Sequence, residues 1–162
     1  MKPDFNQLEK VVINVGLGRA SALTNFEDRI LPATVEELSA IVGQHPMPRA
    51  AKKSIAGFKL RAGTTVGLKV TLRRKKLEQF LRKLTNTALP RIRDFRGIND
   101  HAIDKKGILT MGIKEHVVFP EIIPENSKVN FGMEITVVPK KAIATHADAV
   151  AFYQSLGIPF KK

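Results

Sequence analysis

Residues 66–89 read VGLKVTLRRKKLEQFLRKLTNTAL. Over Val66 to Leu72 apolar and polar side chains alternate, the period of a half-buried strand. From Lys75 the period changes. Leu77, Phe80, Leu81, Leu84 and Ala88 recur at helical spacing up to Leu89, and Pro90 stops the run. A strand therefore passes directly into an amphipathic helix, with four consecutive cations, Arg73-Arg-Lys-Lys76, at the junction. Four cations at a helix N-terminus oppose the macrodipole unless an outside anion offsets them. That placement favours a phosphate partner.

Toward the N-terminus, Leu8 to Val15 (LEKVVINV) is rich in β-branched residues and ends at Gly16-Leu17-Gly18, a strand closing in a tight turn. From Asn25 to Val42 apolar positions return to helical spacing, interrupted by Pro32. Thr34 and Glu37 have capping-box spacing, so the well-formed helix is expected after the proline, with Gly43 ending it. His45 to Arg49 is extended by its prolines, and Ala51 to Gly67, basic and glycine-bearing, reads as a long hairpin loop. Toward the C-terminus, Ile108–Ile113 and Phe131–Val138 read as strands and Ala147–Leu156 as a short helix ended by Gly157 and Pro159. This order predicts an α+β fold, a mainly antiparallel sheet with helices packed on one face and the other face, or the loops beside it, free for a partner. No internal repeat, low-complexity tract or linker divides the chain, so residues 1–162 are expected to form one domain.

Charge narrows the function. The chain has 27 Lys and Arg against 15 Asp and Glu, a net charge of +12. Between Arg49 and Arg96 lie 15 basic residues and only two acidic ones, Glu78 and Asp94, while the rest of the chain holds 12 basic and 13 acidic residues. All the excess is thus concentrated in one stretch, as suits a surface set against phosphates. No apolar run is long enough for a membrane helix, no secretory signal opens the chain, and a cysteine count of zero removes disulfides, thiolate metal sites and thiol nucleophiles. A reducing, cytoplasmic setting is expected, with no membrane partner.

Catalytic patterns are weak. Gly16-Leu-Gly-Arg-Ala-Ser21 follows a strand, as a dinucleotide turn would, but lacks the third glycine and an acidic strand end about twenty residues on. His45, His101, His116 and His146 have no metal-ligand spacing and are expected at the surface or as caps. Ser54, Ser127 and Ser155 lie in no nucleophile-elbow context, and Glu115 and Glu121 balance local charge. No catalytic residue, metal or cofactor is expected. The competing readings are a nucleotide-dependent enzyme built on the Gly16–Gly18 turn and a nonspecific DNA-binding protein.

Three basic clusters look different. The first carries Lys52, Lys53, Lys59 and Arg61 with Gly57, Phe58 and Gly63; Phe58 either stacks on an exposed base or anchors the loop against the core. The second, Arg73, Arg74, Lys75 and Lys76, sits at the strand–helix junction. The third, Pro90-Arg-Ile-Arg-Asp-Phe-Arg-Gly97, puts Arg91, Arg93 and Arg96 in a loop, where guanidinium forks can grip phosphates. Lys52, Lys53, Arg73, Arg74, Lys75, Arg91, Arg93 and Arg96 are the candidate phosphate contacts.

VVINVGLG (Val11–Gly18), KKSIAGFKLRAG with TVGLKVTLR (Lys52–Arg73), ALPRIRDFRG (Ala88–Gly97) and MGIKEHVVFPEI (Met111–Ile122) together resemble the large-subunit ribosomal protein five family of bacterial type, the 5S rRNA-binding family. The segments follow the family's order across nearly the whole chain. The resemblance implies a non-enzymatic constituent of the large ribosomal subunit in the central protuberance, helping attach 5S rRNA to 23S rRNA and touching a small-subunit bridge protein among its neighbours. By motif match it implies 5S rRNA contacts at Asn14, Gln44 and Thr71. It also implies a loop over Ala56–Gly67 that faces the P-site tRNA, with Gly57, Phe58, Lys59, Arg61 and Gly63 as its candidates. Three departures stand out. Family members usually carry an extra N-terminal helix before the first strand, whereas here that strand starts at once. Arg74 stands where a glycine is common. AIDKKGI (Ala102–Ile108) replaces the usual phenylalanine–aspartate–glycine loop.

Overall fold

The computed structural model describes residues 4–161. Five strands, β1 (Leu8–Gly16), β2 (Met47–Ala50), β3 (Thr65–Leu72), β4 (Leu109–Ile113) and β5 (Met133–Pro139), form one sheet in the order β2-β3-β1-β5-β4. Every neighbouring pair is antiparallel. The helices are α1 (Leu31–Val42), α2 (Arg74–Lys83), the short α3 (Leu89–Arg91) and α4 (His146–Ser155).

Alternation decides which face is covered. Val11, Ile13 and Val15 of β1, Leu68, Val70 and Leu72 of β3, and Met133, Ile135 and Val137 of β5 are buried. They join Leu38 and Ile41 of α1, Leu77, Phe80 and Leu81 of α2, and Tyr153 of α4 in one apolar cluster. The residues between them, such as Val12, Asn14, Lys69, Thr71 and Thr136, stay partly open. The helices thus cover one face, and the other carries the intervening side chains.

The elements differ from the sequence expectations in a few places. Pro32 does not delay the first helix: it occupies the first turn of α1, where a missing N–H costs nothing, and a π-helical turn, Phe26–Ile30, runs straight into it. The capping box does not form. Thr34 Oγ1 donates back to the Ile30 carbonyl at 2.7 Å, and Glu37 turns toward residues far along the chain. The helical run from Arg74 continues through a π-helical turn at Leu84–Ala88 and α3, one residue past Pro90, so Arg91 closes a helix instead of opening a loop. His45–Arg49 is not merely extended: Met47–Ala50 is an edge strand, a position that tolerates Pro48. His116 is no surface histidine. It is fully buried, stacked on Phe131 with ring centroids 4.0 Å apart, and 2.6 Å from Glu37 Oε2.

Candidate nucleic-acid interface

The sheet register lays out the open face row by row. Directly paired residues of neighbouring strands point to the same side. One row runs Met47, Lys69, Asn14, Glu134, Gly112, and the next runs Thr71, Val12, Thr136, Thr110. Beyond the first row lie Arg49, Gly67 and Gly16. Apart from Met47, Val12 and the glycines these side chains are polar or charged, Glu134 being the one acid, and none is aromatic. Gly16, Gly67 and Gly132, with Asn14, Arg49 and Glu134, line a shallow depression of about 480 Å³. Gly67 is required by the close approach of the strands, because a Cβ there would lie 2.8 Å from the Val15 carbonyl oxygen.

Asn14 and Thr71 share this face, and Gln44 is tied to the Thr71 main chain. Asn14 is paired with Lys69, which makes Thr71 its diagonal neighbour. Gln44, just beyond α1 and Gly43, donates from Nε2 to the Thr71 main-chain carbonyl at 3.4 Å. The Thr71 hydroxyl takes no part in that bond.

The three cationic clusters occupy separate segments: the β2–β3 connection, the β3–α2 junction and the turn after α3. Residues 51–64 join β2 to β3 and fold back on themselves: Ala51 N donates to the Thr64 carbonyl, Gly63 N to the Ala51 carbonyl, and Ile55 and Leu60 exchange both main-chain bonds. At the tip Ala56–Phe58 makes a single 3₁₀ turn and Lys59 closes it in the left-handed conformation. Lys52, Lys53, Gly57, Lys59, Arg61 and Gly63 are exposed. Phe58 is 76% exposed, so it does not anchor the loop against the core. Arg73 continues β3 in extended conformation and serves as N-cap of α2 with no side-chain cap bond, and Arg74 and Lys75 follow it into the first turn. Arg74 takes φ of +52°. Arg91, Arg93 and Arg96 are exposed around a turn in which Asp94 also has positive φ. Each cluster therefore contains one non-glycine residue in the left-handed region. The arginine turn is held by Ile98, whose N–H donates to Pro159 and whose carbonyl accepts from Lys161.

Sequence reasoning missed Lys10, Arg49 and Lys69 on the open face. Alternation was the available clue, since even positions of β1 and odd positions of β3 share one side. A larger hollow, about 970 Å³, lies between α1 and residues 121–129. Asp28, Glu36, Glu37 and Glu121 line it against Arg29 and Lys128, so its net charge opposes a nucleic-acid backbone.

With that geometry established, similarity to known proteins decides the lineage. Residues 6–61 match the family described as ribosomal protein L5, and residues 65–160 match the model of the C-terminus of the same ribosomal family. The chain belongs to the ribosomal protein L5 family. It is 48% identical over 156 residues to the large ribosomal subunit protein uL5 of Desulforamulus reducens, covering 96% of this chain and 83% of that protein. It is 47% identical over 156 residues to uL5 of Thermus thermophilus (96% and 82%) and 46% identical over 155 residues to uL5 of Spiroplasma kunkelii (96% and 83%). L5 is a structural, non-enzymatic ribosomal protein, which removes the nucleotide-dependent enzyme as a reading of the Gly16–Gly18 turn. The two L5 matches divide near residue 63, yet β1 from the first lies between β3 and β5 from the second.

Proposed function

We propose that this L5-family chain is an architectural constituent of the large ribosomal subunit that seats 5S rRNA on the open face of its sheet and helps attach it to 23S rRNA. Asn14, Gln44 and Thr71 supply hydrogen bonds to sugar hydroxyls and base edges. Lys52, Lys53, Arg73, Arg74, Lys75, Arg91, Arg93 and Arg96 supply the phosphate contacts. The loop carrying Gly57, Phe58, Lys59, Arg61 and Gly63 reaches toward the P-site tRNA, where an exposed Phe58 can stack or wedge. Residues 1–162 act as one rRNA-binding unit, since β2–β3 and β1–β3 pairing ties both halves into one sheet. The setting is the cytoplasmic ribosome, with neighbouring ribosomal proteins, including one of the small subunit across a bridge, as further partners.

One observation supports this: Asn14 and Thr71 share one uncovered sheet face, Gln44 is bonded to the Thr71 main chain, and the cations Lys69 and Arg49 lie on that same face with Arg73 at its β3 end. Small polar side chains on a rigid sheet suit a structured RNA, whose 2′-hydroxyls lie in a wide, shallow groove. A filter-binding titration against 5S rRNA at moderate salt, with excess tRNA as competitor, tests it. Tight binding that survives the competitor supports the assignment. Complete loss to tRNA would reduce the basic surface to a general polyanion site and remove the support for Asn14, Gln44 and Thr71.

A further inference from the structure

Outside Arg49–Arg96 the chain carries slightly more acid than base, but the topology does not spread its cations evenly. β4 begins just after Lys105 and Lys106, and β5 ends just before Lys140 and Lys141. The two strands are antiparallel neighbours with Leu109 opposite Val137, so both lysine pairs emerge at the same end of the sheet. They are tied together there. Ile143 N–H donates to the Lys106 carbonyl, and the Tyr153 hydroxyl bridges the Gly107 and Val137 carbonyls at 2.7 and 3.1 Å. Lys140 N–H adds a bond to the Gln7 carbonyl and fixes its segment beside the start of β1.

All four lysines are exposed, and none has a salt-bridge partner among the described residues. The acid of the turn, Asp104, accepts through Oδ1 from the Lys106 and Ile108 N–H groups at 2.8 Å each. Asp148 is held by Thr145 at the start of α4, and Glu9 pairs with Lys10 at 3.1 Å. The end is thus rigid and cationic. It also adjoins the open face, where Lys10 lies opposite Val138 and Arg73 follows Thr71 two residues further along the chain. From β3 to β4 these cations span three strand spacings, about 14 Å.

We infer that Lys105, Lys106, Lys140 and Lys141 form a second phosphate-binding surface that takes the backbone of double-helical RNA. This rests on the reading of the chain as an rRNA-binding protein and adds a contact region that its sequence clusters do not contain. The surface favours a duplex over a single strand. None of the exposed large apolar side chains, Leu23, Met47, Ile55, Phe58 and Ile123, lies in these segments, so the four lysines are not interleaved with the apolar platforms that unpaired bases stack on. Lysines act on phosphates as point charges and need no fixed fork geometry, which suits a backbone met without sequence readout.

The test compares two quadruple variants. Lys105→Gln/Lys106→Gln/Lys140→Gln/Lys141→Gln removes the surface, and Arg19→Gln/Arg29→Gln/Lys114→Gln/Lys128→Gln removes the same charge elsewhere. Binding to 5S rRNA and to a plain RNA duplex of unrelated sequence is measured across salt concentrations, with urea midpoints confirming the fold of both. The patch variant should lower the slope of log K against log salt by roughly 2–3 units, and the control variant by less than about one. Equal slopes for the two variants on both RNAs would overturn the surface. If wild-type protein binds 5S rRNA no better than tRNA, the 5S assignment fails alone, and the slope difference on the plain duplex still decides the lysines.

Discussion

Gln44 Nε2 donates to the main-chain carbonyl of Thr71 at 3.4 Å, so the segment leaving the first helix is tied to the strand that carries a second candidate contact. The bond uses Thr71 backbone only. Thr71→Val should therefore leave Gln44 in place and remove a single hydroxyl from the open face. Binding to 5S rRNA should weaken by about 1 kcal/mol with little change in salt slope. Arg73→Ala, one strand position beyond Leu72, should instead lower the slope by about one unit. Equal slopes for the two variants would contradict the division between hydrogen-bonding and phosphate-binding residues.

Arg74 holds φ of +52° at the first position of α2. A side chain in the left-handed region costs roughly 1–2 kcal/mol, a cost glycine does not carry. Arg74→Gly should raise unfolding free energy by about 1 kcal/mol in urea titrations, even though it deletes a cation from the strand–helix cluster. A variant less stable than wild type would mean that the arginine makes compensating contacts.

Gly97 sits at φ of +99°, and a Cβ added there would lie 2.6–2.7 Å from the main-chain atoms of Phe160 and Lys161. Backbone cannot yield as a flexible side chain can. Gly97→Ala should cost about 3 kcal/mol or more, detaching the C-terminal segment from Ile98 and loosening the arginine turn. Gly57→Ala is the matched control, because its Cβ meets nothing within 4 Å and its stability should change by less than about 0.5 kcal/mol. Similar losses in both variants would remove the steric explanation.

Glu37 and His116 lie 79 residues apart and meet at 2.6 Å. Ser127 Oγ joins the same carboxylate, and Phe131 N–H donates to His116 Nδ1. The Nε2 proton therefore points at Glu37. Glu37→Ala should destabilise by about 1–3 kcal/mol, since it strips the chief acceptor from a fully buried ring, whereas Glu37→Gln keeps an acceptor and should recover much of that. Identical melting temperatures for the two variants would show that the carboxamide oxygen cannot replace the carboxylate.

That pair also marks where sequence reading stops. β1, β3, β5, α2 and α4 were legible because each repeats a local period over several residues. Glu37 was read as half of a capping box from its spacing to Thr34, while its actual partner comes from beyond β4. β2 was legible only as extended chain, because all four of its residues are exposed and leave no burial period. Cationic clusters at 52–61, 73–76 and 91–96 were visible because their charge is contiguous. The open-face positions of Lys10, Arg49 and Lys69 needed strand register, and the meeting of Lys105–Lys106 with Lys140–Lys141 needed the β4–β5 pairing.

Tyr153 is the sole tyrosine in a chain without tryptophan, so its ionisation can be followed directly by ultraviolet absorbance. Its hydroxyl is buried, and burial is the main cause that pushes its pKa well above the usual phenol range; the charge of Asp104 adds to the shift. In the folded state the phenol stays protonated after the unfolded chain has lost its proton near pH 10. The unfolded state then binds fewer protons than the folded one, so stability must fall as pH rises, by about 1.4 kcal/mol per pH unit. The contribution is complete below pH 10 and is lost on the way up to the folded pKa. Tyr153→Phe should be less stable at neutral pH by about 1–3 kcal/mol, because the Gly107 and Val137 carbonyls lose their donor. Its stability should also decline less steeply above pH 10 than that of wild type. Tyrosinate absorbance should appear in step with loss of helical circular dichroism. A rise in absorbance while the fold is intact would mean that the hydroxyl reaches solvent and that the bridge between the 104–107 turn and β5 opens on its own.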